Sequence, residues 1–135
     1  MRNLTLKSKI NTHKLINNKL CGTPLFCENK KAEVKLELTH EMAADEKGLI
    51  HGGFIFGLAD YAAMICINEP LVVLSSSSCS FLKPLKIGET AIAYAEIIKQ
   101  EKNKYFVNVN VYSNKILVFK GEFNAVIPKK HVLDN

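Results

Sequence analysis

His51-Gly-Gly-Phe-Ile-Phe-Gly-Leu-Ala-Asp60-Tyr-Ala-Ala-Met-Ile-Cys-Ile-Asn68 is the stretch on which the fold of this chain turns. From Gly52 to Asn68 it is apolar nearly all the way round, and Gly57, Ala59, Ala62 and Ala63 are small. A helix with that pattern has no wet face and belongs inside, with other backbone packed close against it. Asp60 is the exception. At about 100° per residue it shares a face with Gly53, Phe56, Gly57, Ala63, Met64 and Ile67. An unpaired carboxylate among such neighbours costs on the order of several kcal/mol unless it is hydrogen-bonded or neutralised, and Asp is a poor mid-helix residue. Two readings follow. Asp60 is structural, satisfied by backbone or a Ser hydroxyl, or it stands in a low-dielectric cleft where its pKa rises toward that of a useful base.

Outward from the helix, the flanking pattern is that of strands. Residues 32–39 alternate strictly, with Ala32, Val34, Leu36 and Leu38 on one face, as a half-buried strand does. After Glu69-Pro70 come four strand-like runs, at 71–82, 90–98, 105–112 and 116–126. The linkers Pro84–Gly88, Glu101–Lys104 and Ser113–Lys115 are short and turn-like, so neighbouring strands are expected to pair antiparallel. Residues 5–19 fit a short amphipathic helix, with Leu6, Ile10, Leu15 and Ile16 as its apolar positions, broken at Gly22-Thr23-Pro24. One or two strands, one buried helix and four more strands make an α+β chain whose sheet buries the helix by curling round it. The sheet's edges stay open, and pairing with a second copy covers one of them.

The helix entrance, Gly48-Leu-Ile-His-Gly-Gly53, has its own chemistry. Two glycines let backbone approach a ligand closely. The first helical N–H groups lack intrahelical partners and carry the positive end of the dipole, which suits a carbonyl oxygen turning into an oxyanion. Gly53 and Asp60 lie two turns apart on one face, about 10 Å along the axis. That is far for one carbonyl to touch both in a single chain. A site across a dimer interface, with Asp60 from the second subunit, removes the difficulty.

The string from His51 to Ala63 resembles the central helix of hotdog-fold thioesterases of the phenylacetate-pathway and human acyl-CoA thioesterase type. There, too, His-Gly-Gly precedes a helical Asp nine residues after the His. Phe81-Leu-Lys-Pro-Leu-Lys-Ile-Gly-Glu89 looks like the family's strand–Pro–turn–Gly-Glu stretch, and the likeness in pattern spans residues 32–127. It implies a hotdog fold, a curved antiparallel sheet wrapped around one long central helix, over a single domain 1–135 with a basic N-terminal segment 1–22. It also implies acyl-CoA thioester hydrolysis by a homodimer or dimer of dimers. In that scheme the Gly53 N–H polarises the thioester carbonyl and His51 shapes the turn. Asp60 attacks the thioester or activates water. The substrate is lined by Gly52, Phe56, Met64 and Phe81, and its phosphates rest near Lys83 and Lys86. Six residues before His51 several relatives carry an Asn that orients water; here it is Asp45, a second carboxylate expected to raise one pKa by like-charge repulsion. Alternation turns two of Ser75–Ser78 inward without saying which, and Ser76 and Ser78 are the candidates near the site.

The C-terminal half also resembles the ligand-binding domain of the malonyl-CoA-sensing repressor of fatty acid synthesis, which binds acyl-CoA without cleaving it. That leaves a non-catalytic acyl-CoA binder as the alternative. Dehydration of hydroxyacyl thioesters is a third reading, set aside because those enzymes hold their catalytic His in a different local context.

Composition fits this picture. The chain has 135 residues, 47% of them apolar, which suits one domain with a substantial core. No apolar run approaches the ~18 residues of a membrane span, and the basic start has no signal-peptide pattern. Of the +5 net charge, residues 1–31 hold seven Lys/Arg against one acid. That segment lacks the aromatics and motifs of a nucleic-acid binder. Cys21, Cys27, Cys66 and Cys79 form no Cys-x-x-Cys pair, so free thiols in a reducing cytoplasm are expected, with no metal. No cofactor is expected either, the CoA moiety being part of the substrate.

Overall fold

The computed structural model describes Leu6 and residues 9–134. Its elements are a four-residue helix α1 (Asn18–Cys21), β1 (Thr23–Glu28), β2 (Lys31–Glu37), a 3-10 turn (His40–Met42), α2 (Gly52–Ile67), β3 (Val73–Phe81), β4 (Thr90–Glu101), β5 (Lys104–Ser113) and β6 (Ile116–Val126). The strands form one sheet in the order β1-β2-β4-β5-β6-β3, and every pairing is antiparallel. This is the hotdog fold. The alternation in β2 does what it promises: Ala32, Val34, Leu36 and Leu38 are all buried beneath α2. From β5 and β6 come Val107, Val109, Val111, Phe119 and Phe123, each fully buried. The register slips at Pro24/Phe26, Leu74/Ser76, Ile97/Lys99 and Val111/Tyr112. Each slip adds local bend and twist, which lets the sheet curl round the helix.

Helix α2 is buried from Leu58 to Ile67 apart from Asp60, and ends at Asn68 in the left-handed conformation that Asn tolerates well. Its start is tied down by the preceding loop. The His51 N–H donates to Met42 O, the Ile50 N–H to Leu85 O and the Ile87 N–H to Gly48 O. The helix entrance and the 83–89 turn are therefore one assembly. Among the described residues no helix is long and apolar enough to cross a membrane.

Three expectations change. Sequential neighbours β3 and β4 do not pair; β3 crosses to the far edge beside β6, and the 83–89 turn packs on the helix entrance instead. Strand β1 occupies residues next to the foreseen break, and its Pro24 is tolerated because β1 is an edge strand. The helix over 5–19 does not form as one piece. Leu6 and Lys9 are helical, but the chain leaves the helix at Ile10, His13 has φ 54°, and helix resumes only at Asn18 with Asn17 as its cap. Residues 5, 7 and 8 of that expectation lie outside the described residues. Leu15 is fully exposed, so the apolar spacing there was not a helix face.

Candidate active site

At the start of α2, His51 is the N-cap residue with extended backbone and no capping bond from its side chain. The Phe54 N–H bonds back to His51 O at 3.1 Å, while the Gly52 and Gly53 N–H groups meet no acceptor among the described residues. Two free donors thus project at the positive end of a 16-residue helix. A Cβ added to either glycine would meet the far end of a neighbouring side chain. A Cβ on Gly53 would lie 2.9 Å from His51 Nε2, and one on Gly52 would lie 3.1 Å from Phe81 Cε1. His51 itself is exposed, with its ring edge-on to Phe54 at 6.2 Å.

Further along the same face, Gly53 is exposed, Phe56 and Gly57 are half-buried, and a Cβ on Gly57 would meet nothing within 4 Å. This open stripe ends at Asp60. The Asp60 carboxyl is half-buried, and its Oδ1 is shut off from solvent with no hydrogen-bond partner among the described residues. Burial pushes its pKa up from the ordinary 3.8 to about 6. The cause is desolvation; no second carboxylate contributes. Asp45 is instead committed to its own loop, where its Oδ1 accepts from the Lys47 and Leu49 N–H groups at 3.0 and 3.1 Å. The expected repulsion between Asp45 and Asp60 is therefore absent within one chain.

The remaining candidates separate into groups. Gly52, Phe81 and Lys83 come together round an apolar cavity of about 330 Å³, with Ile55, Leu85 and Val118 among its walls. Phe81 is 56% exposed and packs edge-to-face on Phe119. Phe56 leans on Phe123 with ring centroids 5.3 Å apart. Lys86 and Asp45 line a neighbouring depression of about 470 Å³ with Lys47 and Glu89, sharing Pro84 and Leu85 with the first cavity. Its two lysines face two acids, so by formal charge it is neutral and offers phosphate little net attraction. Met64 is wholly buried and belongs to the core, not to a binding surface.

Ser76 and Ser78 do not point inward. They pair with Asn124 and Glu122, on the outer face of the sheet, whereas Ser77 pairs with the buried Phe123 on the helix side. The slip at Leu74/Ser76 resets the alternation. Counting back in twos from Phe81, opposite buried Phe119, reaches Cys79 and Ser77 and gives the correct face. Cys21 was also missed. It stands near enough to Asp60 for the carboxylate charge to add to the effect of burial in raising the thiol's pKa. Nothing in its spacing, 39 residues upstream, signals this.

Fold and site together define a thioesterase-type hotdog domain, and the chain belongs to the thioesterase superfamily, whose model matches residues 47–120. Among solved structures it is similar to the uncharacterized protein PH1136 from Pyrococcus horikoshii, at 48% identity over 92% of this chain and 95% of that one, TM-score 0.90. It shares its fold with the PaaI protein of the E. coli phenylacetic acid degradation operon, at 23% identity over 83% of each chain, TM-score 0.75. Among curated proteins it is 44% identical over 117 residues to methylthioribose-1-phosphate isomerase of Aquifex aeolicus. It is 30% identical over 102 residues to transcription factor FapR of Staphylococcus aureus. Those stretches are 87% and 76% of this chain, but only 26% and 55% of the two relatives.

Proposed function

We propose that this chain hydrolyses acyl-CoA thioesters to free acid and CoA, as a homodimer or dimer of dimers in which Asp60 of one protomer faces Gly53 of the other. The observation that carries the reading is Asp60: a carboxyl with a desolvated, unpartnered oxygen and a pKa raised to about 6, at the closed end of an open stripe on the central helix. At neutral pH this carboxyl is ionised yet basic enough to accept a proton.

In the proposed step Asp60 takes a proton from water as the water oxygen attacks the thioester carbonyl. Charge develops on the carbonyl oxygen, and the Gly53 N–H at the helix start stabilises it. The C–S bond then breaks, and the thiolate of CoA leaves with the proton held by Asp60. Direct attack by the carboxylate, with water resolving an anhydride, uses the same atoms. The apolar cavity beside Gly52 and Phe81 suits the acyl or pantetheine arm, and Lys83 at its rim is the basic residue best placed for a phosphate.

The test is free thiol release from a panel of acyl-CoAs. Turnover by wild type that falls at least about a hundredfold in Asp60→Asn supports the reading. Tight binding without turnover by wild type sinks it and favours the second reading, a non-catalytic acyl-CoA-binding protein. That alternative draws on the likeness to transcription factor FapR and on Asp45, which stands where the resemblance to hotdog thioesterases implies a water-orienting Asn.

A further inference from the structure

The cavity beside the helix start has walls of two kinds. Ile50, Ile55, Leu85 and Val118 are buried and belong to the main core. They come from the entrance loop, α2, the 83–89 turn and β6, and the Ile50 N–H donates to Leu85 O at 2.8 Å. This side is fixed. The other side is Phe81, more than half exposed. Its ring stands against Gly52 and is backed edge-on by Phe119. The Leu82 N–H donates to Val118 O at 2.8 Å, which holds the backbone after Phe81 beside the fixed wall. The cavity therefore opens at Gly52, whose N–H is one of the two free donors of the helix start. Lys83, the one charged side chain of its described lining, is exposed at the rim.

We propose that this cavity holds the acyl group of the substrate, and that Phe81 sets how much of an acyl chain is buried. The proposal rests on the reading of the helix start as the thioester site. The pantetheine arm is the poorer occupant. Its two amides and its hydroxyl would lie against hydrocarbon walls without partners, a cost that an alkyl chain does not meet. Size then names the substrate class. At about 30 Å³ per water-sized group, a cavity of about 330 Å³ has room for roughly ten such groups. Short- and medium-chain acyl thioesters fit. A longer chain meets the fixed wall and turns out past Phe81 into water, where further methylenes gain nothing.

The experiment uses the full chain, with melting curves to confirm that each variant folds. Calorimetry measures the affinities of CoA and of S-butyl-, S-hexyl-, S-octyl-, S-dodecyl- and S-hexadecyl-CoA thioethers, which cannot be hydrolysed. In wild type, affinity is expected to rise about fourfold per methylene from butyl to octyl and to level off beyond. No rise, or a rise that continues to hexadecyl, overturns the pocket. Phe81→Ala is expected to cut the rise below about twofold per methylene with CoA bound as in wild type, and Phe81→Leu to restore most of it. A Phe81→Ala variant that keeps the wild-type rise, or weakens CoA and every thioether by one common factor, overturns the assignment, the second by giving the cavity to the pantetheine arm. Should Phe81→Ala not fold, Val118→Met narrows the cavity from the fixed side and is expected to bring the plateau to shorter chains; an unmoved plateau counts against the pocket. Thiol release from the matching acyl-CoAs is followed separately. The expected chain-length dependence without release by wild type supports the pocket and sinks hydrolysis. Release without that dependence does the reverse, and failure to bind any thioether overturns both.

Discussion

Asp60 carries a cost that can be measured. Its pKa is about 6 in the folded chain against an ordinary 3.8, so the folded state prefers the protonated form. Stability from this group is fully present below about pH 3.8 and is lost as pH rises through about 6, a loss of up to about 3 kcal/mol by pH 8. Asp60→Asn removes the loss. Its melting temperature at pH 8 is expected to exceed that of wild type, and the gap to close near pH 4; a variant less stable than wild type at pH 8 contradicts the desolvated carboxyl. In the catalysed reaction kcat/KM is expected to rise with pH along a limb with apparent pKa near 6, read from initial rates across pH. Gly53 makes a second test. In Gly53→Ala the added methyl meets His51 Nε2, so kcat is expected to fall about tenfold or more. In a His51→Ala background the same change is expected to cost much less, a non-additivity that a double-mutant cycle measures. Asp60 and the two glycines were legible because each breaks a local rule: a mid-helix carboxylate in an apolar run, and paired glycines at a helix start. Ser77 and Cys21 break none, and their positions depend on a strand slip and on tertiary packing.

At the scale of elements, α2 was legible almost to the residue because unbroken apolar character and an Asn stop leave few alternatives. The 5–19 stretch was not. Leu6 and Ile10 do face the core, but Asn11, His13 and Asn17 turn the chain, and an extended strap whose buried residues lie along a helix imitates helical spacing over a few residues. The strap's hold at Asn68 is testable. Asn68→Gly keeps the left-handed backbone but loses both side-chain bonds, from the Asn11 N–H and to Lys9 O, and is expected to cost about 1–2 kcal/mol in urea unfolding. No change would mean that the strap is held elsewhere. The neighbour rule failed between β3 and β4 because the 83–89 turn is stitched to the helix entrance, which carries the chain from one edge of the sheet into its interior.

For the whole molecule, the curled sheet leaves β1 and β3 as edges, and β3 is nine residues long with Ser75–Ser78 all exposed. A long edge without charge or proline invites a second strand. The open stripe of α2 and the ~10 Å between Gly53 and Asp60 make the same demand from the chemistry. Both arguments support the proposed site shared between two chains, and mixing inactive variants tests it directly. Asp60→Asn and Gly53→Pro, the latter removing the N–H at a helix position where proline is tolerated, are each expected to be nearly inert. Unfolded together and refolded as a mixture, half the dimers are mixed and each keeps one intact site, so about a quarter of wild-type thiol release is expected to return. A mixture as inert as its parents, although mixed dimers have formed, contradicts the shared site.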